Sequence, residues 1–365
     1  MNSSFFLVKW LFVAMDWVYR QMCSLFAASN GGWVVVLTIF LFTLGIKLLT
    51  VFSDIKSRKS SMQMQAIQPD IERLKKKYAH DPQKLNVEQR KLMKEKGVST
   101  FGGCLPMLIM MPLLFMFFAA FRAWSNQQAL DLMLRINAGE GVSTFGAYRF
   151  LWITNIWRPD NLTAGGSMMS GQEFWNTFAA TNNIKDFIFF SKNEAQLSEI
   201  LYNLHFFTKV YDNGSVQYVL AQDGGQAFME AYQNFIAPIT SQSSLFHGAF
   251  ERMSNGFAIL PILAGATTFL SSWIMQRSQK KQTMQSQNSQ KNGDAKNDPA
   301  AQTQSMNKVM MFLMPAMSIF FCYRYDSTFA FYWIFSNVIS LATTLILNAT
   351  VFKKMQQETL EVINK

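Results

Sequence analysis

The sequence predicts an all-α integral membrane protein: a bundle of five membrane-spanning helices with a cytoplasmic helical hairpin and an extended extracytoplasmic insertion. Three observations predict it. Half of the 365 residues are hydrophobic and only 15% are charged, against roughly 25% charged in soluble domains. The run Trp33–Phe52, WVVVLTIFLFTLGIKLLTVF, is almost wholly apolar, over the ~20 residues that a helix needs to cross a hydrocarbon core of about 30 Å. The charges gather beside such runs instead of within them.

A net charge of +10 is a footprint that nucleic acid can select. Its placement next to the spans assigns it to topology, and no DNA partner is expected. Cys23, Cys104 and Cys322 are isolated, with no CxxC pair and no Cys/His cluster. Neither a disulfide framework nor a metal site is expected.

Residues 1–30 are apolar but interrupted by Lys9, Asp16 and Arg20. Trp10, Trp17 and Tyr19 suit a membrane interface. The expectation is an amphipathic helix on the outer face, with a further span as the alternative. The apolar run is too short, and charge follows too soon, for a cleaved signal. After the break at Asn30-Gly31-Gly32 comes the first span, residues 31–52.

Residues 53–101 read as a cytoplasmic helical hairpin. Met64, Ile67, Ile71, Leu74 and Tyr78 lie 3, 4, 3 and 4 apart, a helical seam. His80-Asp81-Pro82 makes the turn, Pro82 suits the start of the second helix, and Gly97 suits its end. Twelve Lys/Arg face six Asp/Glu in this segment. Arg73, Lys75, Lys76 and Lys77 are the candidate contacts to an anionic partner.

The second span is 102–123, with Pro106 and Pro112 inside it. Neighbouring helices can satisfy the carbonyls that such prolines free. Residues 124–256 are polar, with seven Lys/Arg against eleven Asp/Glu, a net of −4. They are assigned to the outside, and cutting out about 165–244 is expected to leave the protein's activity largely intact. The third span is 257–276, and residues 277–307, rich in Gln, Asn, Ser and Lys, are expected to be a mobile cytoplasmic loop. The fourth span, 308–323, contains Pro315; the fifth is 328–352, and 353–365 form a cytoplasmic tail. The positive-inside rule then puts the hairpin, the 277–307 loop and the C-terminus in the cytoplasm, and the N-terminus outside.

Lys47 is the one charge deep in a span. It lies about 9 Å inside the cytoplasmic boundary at helical rise. Snorkelling is the ordinary fate of such a lysine. Helical side chains lean toward the helix N-terminus, however, which here carries Lys47 away from the nearer interface. A watery intramembrane setting follows. On the fifth span Trp333, Asn337, Ser340 and Thr344 lie 4, 3 and 4 apart on one face, and Thr267, Thr268, Ser271 and Ser272 add hydroxyls on the third. Interhelical bonding alone also explains hydroxyls there.

No enzyme is expected, and no cofactor. His80, His205 and His247 are scattered outside the spans. There is no HExxH, no phosphate-binding glycine loop and no nucleophile elbow.

Taken together, several short motifs resemble the YidC-type (YidC/Oxa/Alb) membrane protein insertases. They are Ile67-Gln68-Pro69-Asp70-Ile71, Lys77-Tyr78, Gly102-Gly103-Cys104-Leu105-Pro106 with Met111-Pro112, and Phe150-Leu151-Trp152-Ile153 near Arg158-Pro159-Asp160. Leu260-Pro261-Ile262-Leu263-Ala264-Gly265, Met314-Pro315 and Phe331-Tyr332-Trp333 with Asn337 continue the series in order. Residues 161–250 have no counterpart in this resemblance.

The resemblance implies a five-helix bundle around a hydrophilic groove open to cytoplasm and lipid and closed to the outside. It places Lys47 where the family has its groove arginine and matches Trp333 to the family's tryptophan in the last span. The family's glutamine before the Met-Pro of the second span is Met110 here, which makes the groove less polar. The implied groove residues are Lys47, Thr43, Met110, Trp333, Asn337, Ser340 and Thr344. Nascent membrane proteins are the implied clients in a bacterial plasma membrane, with ribosome, secretion translocase and anionic lipids as candidate partners. Two readings of other classes stand beside it: an anion transporter or channel using Lys47, and a non-translocating assembly scaffold. A transporter usually carries internal repeats, and this sequence shows none.

Overall fold

The computed structural model describes residues 3–26, 31–79, 81–97, 105–140, 147–162, 168–179, 193–240, 255–287 and 299–347. Its helices in order are α1 Ser3–Leu25, α2 Gly32–Ala66, α3 Gln68–Lys77, α4 Pro82–Glu95 and α5 Leu105–Asn137. Then follow α6 Gly171–Phe178, α7 Glu194–Asn203, the hairpin β1 Phe207–Asp212 and β2 Ser215–Leu220, and α8 Gln226–Thr240. Three long helices close the described chain: α9 Ile259–Gln287, α10 Pro299–Arg324 and α11 Ser327–Leu347.

Two stretches, Gly32–Ser53 and Ser327–Ile346, are long and apolar enough to cross a membrane, and Ile259–Ile274 and Met311–Arg324 are shorter apolar helices. Only 28% and 22% of the two long spans is buried within the protein. Leu48, Leu49 and Phe52 on α2, Phe312, Leu313 and Phe320 on α10, and Leu345 and Ile346 on α11 face outward. Large apolar side chains presented in rows to the surroundings fit a lipid solvent better than water.

The chain divides into two compact units. One takes residues 1–40, 116–262 and 319–332; the other takes 41–115, 263–318 and 333–365. The first unit has an aromatic core. Phe118 of α5 stacks on Phe329 of α11 at 4.1 Å between ring centroids, and Phe117 meets Tyr332 at 4.8 Å. Trp124, fully buried, receives Trp157 at 4.7 Å and Tyr19 of α1 at 5.6 Å, both edge-on. A second cluster of Phe174, Phe178, Phe206 and Phe228, all fully buried, joins α6, α8 and the residues before β1.

The β-hairpin corrects the all-α expectation. Its strands pair from Phe207↔Leu220 to Asp212↔Ser215. The turn between them is Asn213-Gly214, with φ of 47° and 80°. Two consecutive positive-φ residues are what a tight hairpin turn demands, and Asn-Gly supplies them at least cost.

Two further expectations change. Residues 277–307 are helical at both ends, since α9 runs to Gln287 and α10 begins at Pro299. Gln, Lys, Met and Arg are good helix formers, and a solvated helix needs no apolar period to continue. Residues 288–298 lie outside the described part. The helical seam breaks at Ile67, where α2 ends and α3 starts with Pro69 in its first turn. Ile67 and Ile71 are nonetheless buried against Leu92 and Met93 of α4. Asp81 caps α4 by accepting from the Lys84 amide at 3.0 Å, and Gly97 ends it with φ 62°. Gly102, Gly103, Cys104 and His80 lie outside the described residues, as do 348–365 with the expected tail.

Candidate functional site

Within the second unit, the polar side chains of three long helices meet at Thr268. Its hydroxyl lies 2.7 Å from the Ala264 carbonyl on its own helix α9 and 3.0 Å from Ser318 Oγ on α10. It accepts from Trp333 Nε1 at 3.1 Å and from Asn337 Nδ2 at 2.9 Å, both on α11. Asn337 Nδ2 also reaches Thr267 Oγ1 at 3.3 Å. Trp333 and Asn337 are one turn apart, so one face of α11 presents both donors to adjacent residues of α9.

The expected groove residues divide into those this cluster gathers and those it does not. Trp333 and Asn337 belong to it. Ser340 and Thr344 follow on the same helix, but the Thr344 hydroxyl donates back to the Ser340 carbonyl at 2.6 Å. Such a back-bond satisfies a hydroxyl inside its own helix. On α2, Lys47 is half-buried and Thr43, one turn before it, is fully buried. Met110 falls within α5, and its side chain lies outside the described residues.

In the hairpin, Lys75, Lys76 and Lys77 form the last turn of α3, and Arg73 pairs with Asp70 at 3.2 Å. Cations at a helix C-terminus suit its dipole. A groove of about 340 Å³ between α3 and α4 is lined by Asp70, Arg73, Lys77, Glu88, Lys91 and Glu95. Three cations and three carboxylates line it beside Leu74 and Leu92, so the groove is zwitterionic although the hairpin as a whole is basic.

The first unit holds its polar groups differently. Asp160, fully buried, accepts from the backbone amides of Ala258 at 2.9 Å and Leu260 at 2.8 Å, and from Trp152 Nε1 at 3.1 Å. It thereby caps α9 and fixes Ala258 in the left-handed region, at φ 58°. A side chain on Gly256 would collide with the Asp160 carboxylate. Asn255 stitches the same corner: its Oδ1 accepts from the Asn155 amide at 2.8 Å, and its Nδ2 donates to the Asn155 carbonyl at 2.7 Å. The Arg158 carbonyl takes both the amide and the hydroxyl of Ser327, at 3.0 and 2.7 Å, at the start of α11.

Arg158 itself makes a bidentate pair with Glu173 of α6, both bonds 2.7 Å. Burial pulls the guanidinium pKa down, and the bonds and charge of Glu173 more than reverse that, so the cation is retained. Asp326, just before α11, is pushed up to about 6 by burial, with Arg158, Arg122 and a bond from Ser125 opposing the rise. Among the described residues no group of His, Cys, Asp and Glu could hold a metal ion.

Sequence reasoning named Thr268 only as one hydroxyl among several and did not name Ser318. Nothing in one sequence links positions 268, 318 and 333. Their meeting depends on how three helices face one another.

The comparisons with known proteins bear on most of the chain. The family described as 60Kd inner membrane protein matches residues 26–213 and 225–356. That match runs through much of the 161–250 segment that the motifs left without a counterpart. A protein named membrane protein insertase YidC from Clostridium perfringens is 40% identical over 125 residues, 34% of this chain and 45% of that protein. Its namesake from Clostridium tetani is 35% identical over 147 residues, 40% of this chain and 58% of the relative. The namesake from Chlorobaculum tepidum is 25% identical over 344 residues, 92% of this chain and 37% of the relative. The matched part thus spans 37% to 58% of the length of these relatives.

Proposed function

We propose, for a chain that belongs to the 60Kd inner membrane protein family, that it is a membrane protein insertase and chaperone of a bacterial inner membrane. The observation that carries this reading is the likeness over 92% of the chain to a protein named as an insertase. The local chemistry agrees with it. A polar segment crossing hydrocarbon costs several kcal/mol per unpaired group. Polar side chains within the spans, with Lys47 among them, would hydrate part of that path, and the cation would draw in acidic segments.

The finer parts of the proposal are five spans with the N-terminus outside and the C-terminus in the cytoplasm, and a groove formed by Lys47, Thr43, Met110, Trp333, Asn337, Ser340 and Thr344. The α1 helix, with Trp10 and Trp17 exposed opposite a buried face of Phe12, Met15 and Tyr19, would lie at the outer interface. Nascent membrane proteins are the clients. Arg73, Lys75, Lys76 and Lys77 would meet the ribosome, a secretion translocase or anionic lipids.

Reconstitution into liposomes tests the reading. The expected result is insertion of a single-span client without solute flux. Anion flux without insertion would replace it with the transporter reading, and neither activity would leave an assembly scaffold.

A further inference from the structure

The hydroxyl of Thr268 touches groups from three helices, and its capacity is limited. A hydroxyl has one proton to give and two lone pairs to fill. Trp333 Nε1 and Asn337 Nδ2 can only donate, so together they fill both lone pairs. The single Thr268 proton is then left for Ser318 Oγ or the Ala264 carbonyl. One assignment satisfies every member. Thr268 donates to Ser318, Ser318 donates to the Met314 carbonyl at 2.8 Å, and Thr267 serves the Ala264 carbonyl at 3.0 Å.

This order has a direction. With the Thr267 and Thr268 protons committed to the Ala264 carbonyl and to Ser318, the two hydroxyl oxygens can only accept from Asn337, which turns its nitrogen toward α9. Its Oδ1 is left facing away, with no hydrogen-bond partner among the described residues.

We propose that Thr268 is a positioning residue of the groove: it locks the Trp333 indole and the Asn337 amide in place, nitrogen inward, so that Asn337 offers its carbonyl oxygen to hydrogen-bond donors in the groove. Water and the unpaired backbone N–H groups of a polypeptide are such donors. The proposal rests on the insertase reading for its consequence, not for its geometry.

The test separates the two. Fluorotryptophan incorporated into the full-length protein gives nine indole signals, and W333F identifies the one from Trp333 by fluorine NMR. Thr268→Val should move or broaden that signal, and Thr268→Ser, which keeps the hydroxyl, should leave it in place. In liposome insertion Thr268→Val should be slower by about fivefold, the scale of one to two membrane hydrogen bonds. Thr268→Ser should restore the rate. The double variant T268V/N337A should be no slower than N337A alone, since both act through one amide. An unmoved Trp333 signal in Thr268→Val, or losses that multiply in the double variant, would overturn the positioning role. A moved signal with unchanged insertion in both T268V and N337A would overturn its use in the groove. Loss of insertion by wild type itself, with the same signal shifts, would overturn the insertase reading and leave the geometry standing.

Discussion

The two units solve the same problem with different chemistry. In the first, buried polar groups are settled by full charges: Asp160 takes three donors, and Arg158 is clamped twice by Glu173. In the second, the meeting of α9, α10 and α11 uses hydroxyls, an indole and an amide. Charge-assisted bonds are roughly twice as strong as neutral ones, whereas neutral bonds between membrane helices are worth about 0.6 kcal/mol each. The difference teaches where rigidity is needed. A corner that fixes the starts of α9 and α11 gains from bonds that do not exchange. On the insertase proposal, helices that let a client pass would gain from bonds weak enough to be replaced.

The comparison breaks first, if it breaks, at Asp160. Asp160→Ala strands two buried amides and the half-buried Trp152 indole, each buried donor worth about 1–3 kcal/mol when left unmade, so a loss of about 4 kcal/mol is expected. Thermal unfolding in detergent reads it. A loss below about 1 kcal/mol would show that the charged corner is not what holds the first unit.

Glu173→Ala comes next. It leaves a buried guanidinium unpaired, which typically costs about 3 kcal/mol. Arg158→Met should cost less, because Glu173 is partly exposed and can be hydrated. The reverse ranking in the same unfolding measurement would count against the buried-cation account. This pair also sharpens the expectation that 165–244 is dispensable, since that cut removes Glu173 and orphans Arg158. A deletion limited to 193–223 spares the ion pair and is the fairer test.

Asp326 gives a smaller, pH-dependent effect. Its pKa is raised in the folded state, to about 6, so the fold binds the proton more tightly than the unfolded chain does. Its contribution is therefore fully present below about pH 4 and is lost as pH rises through 6. Asp326→Asn should be more stable than wild type at pH 7.5 by about 2 kcal/mol, and the gap should close toward pH 4. A gap independent of pH would show that the carboxyl is not buried as described.

Much of this was legible in one sequence, because helix ends are local chemistry. Pro82 and Gly97 bound α4 as expected, and the apolar run from Trp33 falls within the span Gly32–Ser53. The hairpin was equally local: Asn213-Gly214 sits between Phe-Thr-Lys-Val-Tyr and Val-Gln-Tyr-Val-Leu, a strong hairpin signal. The expectation for residues 124–256 rests on their charge, which carries no information on strands. The helical continuation to Gln287 was hidden because a solvated helix needs no apolar stripe. Asp160 and Thr268 were not legible as anchors. The helix-capping partners of Asp160 lie 98 and 100 residues away, and the partners of Thr268 on other helices 50 to 69; no local pattern records such a meeting.

The groove role proposed for Lys47 carries the account. It is tested most directly by inserting matched single-span clients, differing only in acidic residues of the outer segment, into liposomes holding wild type, Lys47→Arg or Lys47→Met. Lys47→Arg should match wild type. Lys47→Met should slow the acidic client on the order of tenfold, as loss of one close charge pairing does, and the neutral client much less, with its melting temperature unchanged or raised. Equal insertion of acidic and neutral clients by wild type and Lys47→Met would contradict the account.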